Sequence, residues 1–203
     1  MKIKLSVLLL ILTMLLSLCG CESGLVYEKD EKLFGTHEAV MTIKDFGEVK
    51  LELYGDIAPV TVANFVKLVN NGFYDGLTFH RLIHDYMIQG GDPNGDGTGN
   101  SAPRIYGEFK NNGFENNLKH EKGVISMARS RDYNAASCQF FIMLGDEPRL
   151  DGDYAAFGKV TEGMEVLEAI ANSIKTVGYN GEIDQDKQPI IEKIEMVDNT
   201  AQS

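Results

Sequence analysis

The first regular pattern in the chain is an alternation. Val49, Leu51 and Leu53 fall on one side of a period-two repeat and Glu48, Lys50 and Glu52 on the other, which predicts a half-buried strand. Val40-Met41-Thr42-Ile43 precedes it, and Lys44-Asp45-Phe46-Gly47 between the two supplies the Asp and Gly of a tight turn, so the pair reads as a hairpin. The period then changes. Val62, Phe65, Val66 and Val69 recur at i, i+3, i+4 and i+7, with Pro59 and Thr61 as a helix start and Gly72 as a stop. Residues 90–113 are dense in Gly, Asn, Asp and Pro, which predicts loops and turns within one domain. Val124-Ile125-Ser126-Met127-Ala128 and Gln139-Phe140-Phe141-Ile142-Met143-Leu144 are short apolar runs of the kind found in core strands. A second helix is predicted over 162–172. It turns Met164, Leu167, Ile170 and Ala171 inward and keeps Glu162 and Glu165 near its positive N-terminus. Residues 190–197 close as a strand. Many short strands with two helices and Gly-rich turns argue for a mostly β barrel or sandwich.

One stretch stands outside this pattern. Residues 5–18 form an apolar run broken only by Ser6, Thr13 and Ser17 and preceded by Lys2 and Lys4. A spanning helix needs about 20 apolar residues, whereas a run of about 10 to 14 with a basic flank fits a secretory leader, so residues 1–20 read as a signal peptide. Leu18-Cys19-Gly20-Cys21 resembles the lipobox of bacterial lipoproteins. The resemblance implies that Cys21 becomes the lipidated first residue of the mature chain, and that the protein is extracytoplasmic and anchored to the cell membrane. Two or more acyl chains give durable attachment where one gives only marginal binding. The competing reading is simple secretion with Cys19 or Cys21 free; on the lipoprotein reading Cys19 leaves with the leader, Cys138 is the one free thiol and no intramolecular disulfide is expected. Residues 21–38 are then the lipidated cysteine and an acidic tether, 39–198 the folded domain, and 199–203 a tail.

Charge sharpens that picture. Of 203 residues, 30 are acidic and 19 basic, a net charge of −11, and removing Lys2 and Lys4 leaves 30 against 17, or −13. No run holds more than two adjacent basic residues, which argues against a nucleic-acid partner. The tether of 17 residues at 22–38 reaches at most about 60 Å at ~3.4 Å per residue. Two readings stay open for such a domain: one held near the membrane without lying on it, or an acidic face that only confers solubility. With 43% hydrophobic and 24% charged residues the composition is that of one ordinary folded domain, expected to be a monomer.

Metal chemistry is poorly supported. Asp92-Pro93-Asn94-Gly95-Asp96-Gly97 matches the first half of an EF-hand loop, but Pro103 stands where the bidentate Glu is needed. His80 and His84 have a zinc spacing only on a helix, and Arg81 replaces the general-base Glu of H-E-x-x-H. No metal or other cofactor is expected. Cys138 has no local His or Lys to activate it and reads as a packed thiol.

What remains is an arginine set among apolar side chains in Phe79-His80-Arg81-Leu82-Ile83-His84-Asp85-Tyr86-Met87-Ile88-Gln89-Gly90-Gly91-Asp92. With Ser126-Met127-Ala128-Arg129, Gln139-Phe140-Phe141-Ile142 and Leu150-Asp151-Gly152-Asp153-Tyr154-Ala155-Ala156-Phe157-Gly158, it resembles the cyclophilin family of peptidyl-prolyl cis-trans isomerases. The resemblance implies a mainly β fold, an eight-stranded antiparallel β-barrel capped by two α-helices. It implies that Arg81 is the catalytic arginine, acting with Gln89 and Phe141, and that Met87, Phe141 and Leu150 wall a proline pocket. Ala128 and Arg129 match the strand edge that pairs with the substrate backbone. His80, Tyr86, Gln139, Arg149 and Tyr154 complete the substrate-binding set. Tyr86 stands where the family usually has Phe, Tyr154 where it often has His, and Arg149 where many members have Trp. The implied partners are proline-containing peptides and folding proteins.

These residue types suit imide rotation. The C–N bond before proline rotates over a barrier of about 20 kcal/mol because resonance must be broken. At the twisted state the nitrogen regains a lone pair, and a fixed cationic donor stabilises that state over both planar ones. Two other functions stay open on the sequence: a non-catalytic proline-peptide binding module or holdase, and a solute-capturing lipoprotein. Residues 100–107, with Pro103, Arg104 and Tyr106, are the stretch expected to carry substrate preference.

Overall fold

The alternating segment folds as a hairpin. Strands β1 (Thr36–Ile43) and β2 (Gly47–Tyr54) pair antiparallel from Thr36 opposite Tyr54 to Ile43 opposite Gly47. Val49, Leu51 and Leu53 are buried, and the turn closes with Asp45 and Gly47 at positive φ. Residues 31–101 and 103–197 are described by the structure, a computed structural model. The expected signal peptide, Cys19, Cys21, most of the tether and the tail at 199–203 lie outside them.

Helix α1 (Pro59–Asn70) has Pro at its first turn, and Val62, Phe65 and Val69 are buried while Val66 packs at the edge of the core. Its N-cap residue, Ala58, has no side chain to offer the open N–H groups. Glu108 fills that role from a distant loop. Its carboxylate accepts from the N–H of Val60 (3.0 Å), the N–H of Thr61 (2.8 Å) and the Thr61 hydroxyl (2.7 Å). Burial nevertheless holds the Glu108 carboxyl above its ordinary pKa, the three hydrogen bonds pulling the other way.

The other strands are β3 (Thr78–Ile83), β4 (Met87–Asp92), β5 (Val124–Met127), β6 (Phe140–Met143), β7 (Ala156–Glu162), β8 (Thr176–Val177), β9 (Glu182–Ile183) and β10 (Ile191–Met196), with helix α2 (Met164–Ser173) after β7. They form one antiparallel sheet in the order β10-β1-β2-β7-β5-β6-β4-β3-β9-β8. This corrects the expected eight-stranded barrel. Ten strands are present among the described residues, and no strand ladder closes the sheet; one isolated bridge, Thr78 to Ile190, ties the start of β3 to the residue before β10. The additional pair, β8 and β9, is a short hairpin attached to β3 by Arg81 opposite Glu182. Two-residue strands carry no periodicity to read.

The second helix also begins later than expected. Glu162 is the last residue of β7, paired with Lys50 at 2.8 Å, and Gly163 at φ +89° turns the chain into Met164. Leu167, Ile170 and Ala171 are buried as the pattern indicates, while Met164 is only half-buried.

Strand alternation, shifted in β3 by an irregularity between Phe79 and Arg81, then separates two apolar groups. Phe79 and Leu82 of β3, Ile88 of β4, and Phe140 and Ile142 of β6 point into the main core, where Phe65 meets Tyr74, Phe140 and Phe157 at ring separations of 5.2, 5.7 and 5.3 Å. Met87, Phe141, Met143, Val124 and Ala156 point the other way and form a second, smaller cluster. The candidate site lies on that second face.

Candidate active site

The strand register brings the three residues implied as catalytic into one cross-strand row. Arg81 on β3 is opposite Gln89 on β4, Gln89 is opposite Phe141 on β6, and Phe141 is opposite Ser126 on β5. Side chains in such a row share a face. Met87, two residues before Gln89, therefore joins them, opposite Met143. A cleft of about 180 Å³ opens above this row, floored by Met87 and Phe141 and bounded by Arg81, Gln89, Leu150 and Tyr154. Tyr86, Ala128 and Arg129 complete its lining.

Hydrogen bonds fix the polar side. Arg81 Nε donates to the Asn180 carbonyl at 2.7 Å and Nη1 to Gln89 Oε1 at 3.1 Å. Gln89 Nε2 donates to Gln139 Oε1 at 2.9 Å, and Gln139 Nε2 donates to the carbonyls of Gly97 (3.2 Å) and Gly99 (2.7 Å). The guanidinium is thus anchored at two nitrogens, while Nη2 has no partner among the described residues.

Packing fixes the apolar side. Phe141 is 5% exposed, and Tyr154 meets it edge-on with centroids 5.7 Å apart at 85°. Behind Phe141 lies the ring of His120, stacked at 6.0 Å and 17°. His120 Nδ1 is 3.1 Å from Asp151 Oδ1, and its Nε2 is 3.1 Å from Ser126 Oγ. A carboxylate only accepts, so Nδ1 carries the proton and Nε2 accepts from the serine hydroxyl. Burial lowers the His120 pKa despite the bond to Asp151, which keeps the ring neutral. Burial works against the charge of Asp151, yet the N–H groups of His120 and the Lys119 ammonium hold that carboxyl below its usual value. Sequence reasoning missed this trio, buried His120 and Ser126 with half-buried Asp151, as a functional support. Its residues lie in segments quoted for other reasons or carry no pattern at all.

Ala128 and Arg129 follow the last residue of β5, a strand paired on both sides by β6 and β7. The Ala128 N–H bonds the Gln139 carbonyl at 2.9 Å. The Arg129 side chain lines the cleft and is tied back to the neighbouring loop. Its Nε and Nη2 donate to the Asp153 carbonyl at 3.0 and 2.8 Å, and its guanidinium sits 4.7 to 5.0 Å from the ring centres of Tyr154, Phe109 and Tyr133. It is a strut beneath the loop that carries Tyr154.

Three expectations meet a different placement. Arg149 lies outside the cleft lining, with its guanidinium in solvent against Glu147 (2.6 and 2.7 Å). The short helical turn Pro148–Leu150 directs Leu150 to the cleft and its neighbour away. His80 is buried on the far side of Arg81 and lines a separate cavity. Gln139 borders an adjoining cavity of about 250 Å³, shared with Arg104 and Ser130.

The two metal-like patterns resolve into backbone geometry. His80 is on a strand and His84 on an exposed turn, so helical spacing does not apply. Buried Asp92 accepts from the N–H groups of Asn94, Asp96 and Gly97, which makes the EF-like stretch a carboxylate-centred turn. Burial pushes the Cys138 thiol up, and its Sγ accepts from Ser101 N–H at 3.2 Å, as for a packed thiol.

Residues 39–198 match the family model described as cyclophilin type peptidyl-prolyl cis-trans isomerase/CLD. The chain is 45% identical over 130 residues to peptidyl-prolyl cis-trans isomerase B of Bacillus subtilis, covering 64% of this chain and 87% of that protein. It is 45% identical over 145 residues to a peptidyl-prolyl cis-trans isomerase of Helicobacter pylori, covering 70% and 85%. A crystal structure of a Cryptosporidium parvum cyclophilin type peptidyl-prolyl cis-trans isomerase in the presence of the dipeptide Ala-Pro superposes with a TM-score of 0.70 at 30% identity, covering 80% of this chain and 99% of that one. The cross-strand row, the sheet that presents it and these matches together place the chain in the cyclophilin-type peptidyl-prolyl cis-trans isomerase family.

Proposed function

We propose that the cleft accelerates rotation about Xaa-Pro imide bonds of exported proteins without a covalent intermediate, Arg81 donating a hydrogen bond to the proline nitrogen. The observation that carries this reading is the Arg81 guanidinium. It is held by Asn180 and Gln89, keeps Nη2 uncommitted among the described residues, and stands beside an apolar floor of Met87 and Phe141. The floor holds the pyrrolidine ring while the preceding residue turns. In the planar states the imide nitrogen shares its lone pair with the carbonyl and accepts poorly; at the twisted state it accepts well, so the bond strengthens where it lowers the barrier. Arginine suits this because its charge is permanent and its donors form a fixed fork. A charge-assisted bond of about 1.5 to 3 kcal/mol supplies roughly 10- to 100-fold in rate, the rest coming from positioning and exclusion of water. Gln89 fixes the guanidinium and has amide capacity left for the substrate backbone.

In the same reading, residues 1–20 are a leader, Cys21 carries the lipid, and 22–38 tethers the domain outside the cytoplasmic membrane. The apolar run at 5–18 and the Leu18-Cys19-Gly20-Cys21 sequence support it.

The test is direct. Residues 22–203 should speed isomerisation of a short Xaa-Pro peptide, and Arg81→Ala should lower kcat/KM by about 10- to 100-fold. Equal rates for the two proteins would overturn the role of Arg81, and peptide binding with no acceleration by either would leave a holdase.

A further inference from the structure

Arg81 stands between two cavities. One is the cleft above; the other, about 480 Å³, lies between the turn at 95–97 and the β8–β9 hairpin, and Arg81 and Gln89 line both. His80 also lines this second cavity. It is 5% exposed, and its two ring nitrogens are the buried side-chain polar atoms without a hydrogen-bond partner among the described residues. Native interiors rarely leave such groups unpaired, and a donor group entering the cavity would give the unprotonated ring nitrogen the partner it lacks.

The chemistry of that ligand can be read from the walls. Asp96 and Glu182 contribute two carboxylates against the single guanidinium of Arg81, whose Nε and Nη1 are already engaged by Asn180 and Gln89. Burial lowers the pKa of His80, the nearby Asp92 opposing that and Arg81 adding to it, so the ring is neutral and offers an acceptor nitrogen. Gln188 donates to the carbonyls of Gly95 and Ile183, and Gln185 to that of Asn94, which fastens the hairpin to the turn and fixes the cavity. A wall rich in acceptors and net negative suits a group that is all donors and positive, an ammonium or guanidinium.

We propose that this second cavity receives the Lys or Arg side chain of a residue next to the proline, so that the site selects substrates with a basic flanking residue. The proposal rests on the reading of the cleft as the proline site. Arg81 and Gln89 line both cavities, so the two are neighbours, and a peptide with its proline in the cleft has the second cavity beside its flanking residue.

The test uses fluorescently labelled Xaa-Pro peptides in two series, with Lys, Ala or Glu placed directly after the proline or directly before the Xaa-Pro pair. Dissociation constants are read by anisotropy, and the isomerisation rate of the Ala peptide is read separately. In at least one series the Lys peptide is expected to bind about tenfold more tightly than the Glu peptide, as two exposed charge pairs allow, and the ratio should shrink in about 1 M salt. The double variant Asp96→Asn, Glu182→Gln should bring the ratio within about twofold. Both replacements keep an oxygen for the bonds that these side chains accept from Thr98 and Asn180, so turn and hairpin stay in place. Equal dissociation constants in both series, or a preference that survives the double variant, would overturn the proposal. A Lys preference without acceleration of the Ala peptide would instead refute the isomerase reading of the cleft and leave this inference standing.

Discussion

On one side of the cleft, Met87, Phe141 and Met143 are at most 5% exposed and their positions are set by packing against Val124, Ala156 and the ring of His120. On the other, Arg81, Gln89 and Gln139 are half-exposed and are positioned by a line of hydrogen bonds ending on the carbonyls of Gly97 and Gly99. The first arrangement is expensive to alter because every atom removed leaves a void. The second gains little net stability, since water replaces lost hydrogen bonds at an exposed site. The apolar side therefore belongs to the folding problem and the polar side to the kinetic one.

The largest expected effect is on the apolar side. Phe141→Ala should lower unfolding free energy by about 3 to 5 kcal/mol, measured by urea denaturation. A loss under about 1 kcal/mol would mean that this wall is not packed as described. Next, Gln139→Leu should leave stability within about 1 kcal/mol and reduce kcat/KM about fivefold, because the chain of bonds behind Arg81 loses its last link. If its stability loss equalled that of Phe141→Ala, the contrast between the two sides would fail.

The smallest effect joins both sides through pH. Burial lowers the pKa of His120 behind the apolar wall and of His80 beyond the polar one. The unfolded chain, with histidines near pKa ~6.5, then binds more protons than the folded chain as pH falls. The stability these rings contribute is present above about pH 6.5 and is lost as pH drops toward their lowered folded values. Tm should decline between about pH 7.5 and 5.5, where few carboxylates titrate; a flat profile would show that neither ring is held neutral.

The sequence disclosed elements whose periodicity runs unbroken. The β1–β2 hairpin and α1 follow from the alternation at 48–53 and the spacing of Val62, Phe65 and Val69. Strands β3 and β4 gave no such pattern, because His80, Arg81, Gln89, Gly90 and Gly91 interrupt the apolar residues there. The interruption is in part the site, since His80, Arg81 and Gln89, which break the repeat, line the cleft or its neighbour. The resemblance through these segments supplied the residues, and the register supplied their arrangement. What stayed hidden depends on contacts far apart in sequence: the His120 support of Phe141, the turning outward of Arg149, and the β8–β9 hairpin that makes a second cavity beside Arg81.

The carboxylate of Glu108 on the N-terminus of α1 has a consequence for the order in which this chain matures. Residues 59–70 leave the ribosome before the group that closes their first turn has been synthesised, for Glu108 follows Thr61 by 47 positions. The nascent helix waits with its leading amides in water, and the intervening segment that includes Arg81 and Gln89 has already emerged when the clasp arrives. Docking of that one side chain then closes the first turn of the helix onto the loop that carries Glu108.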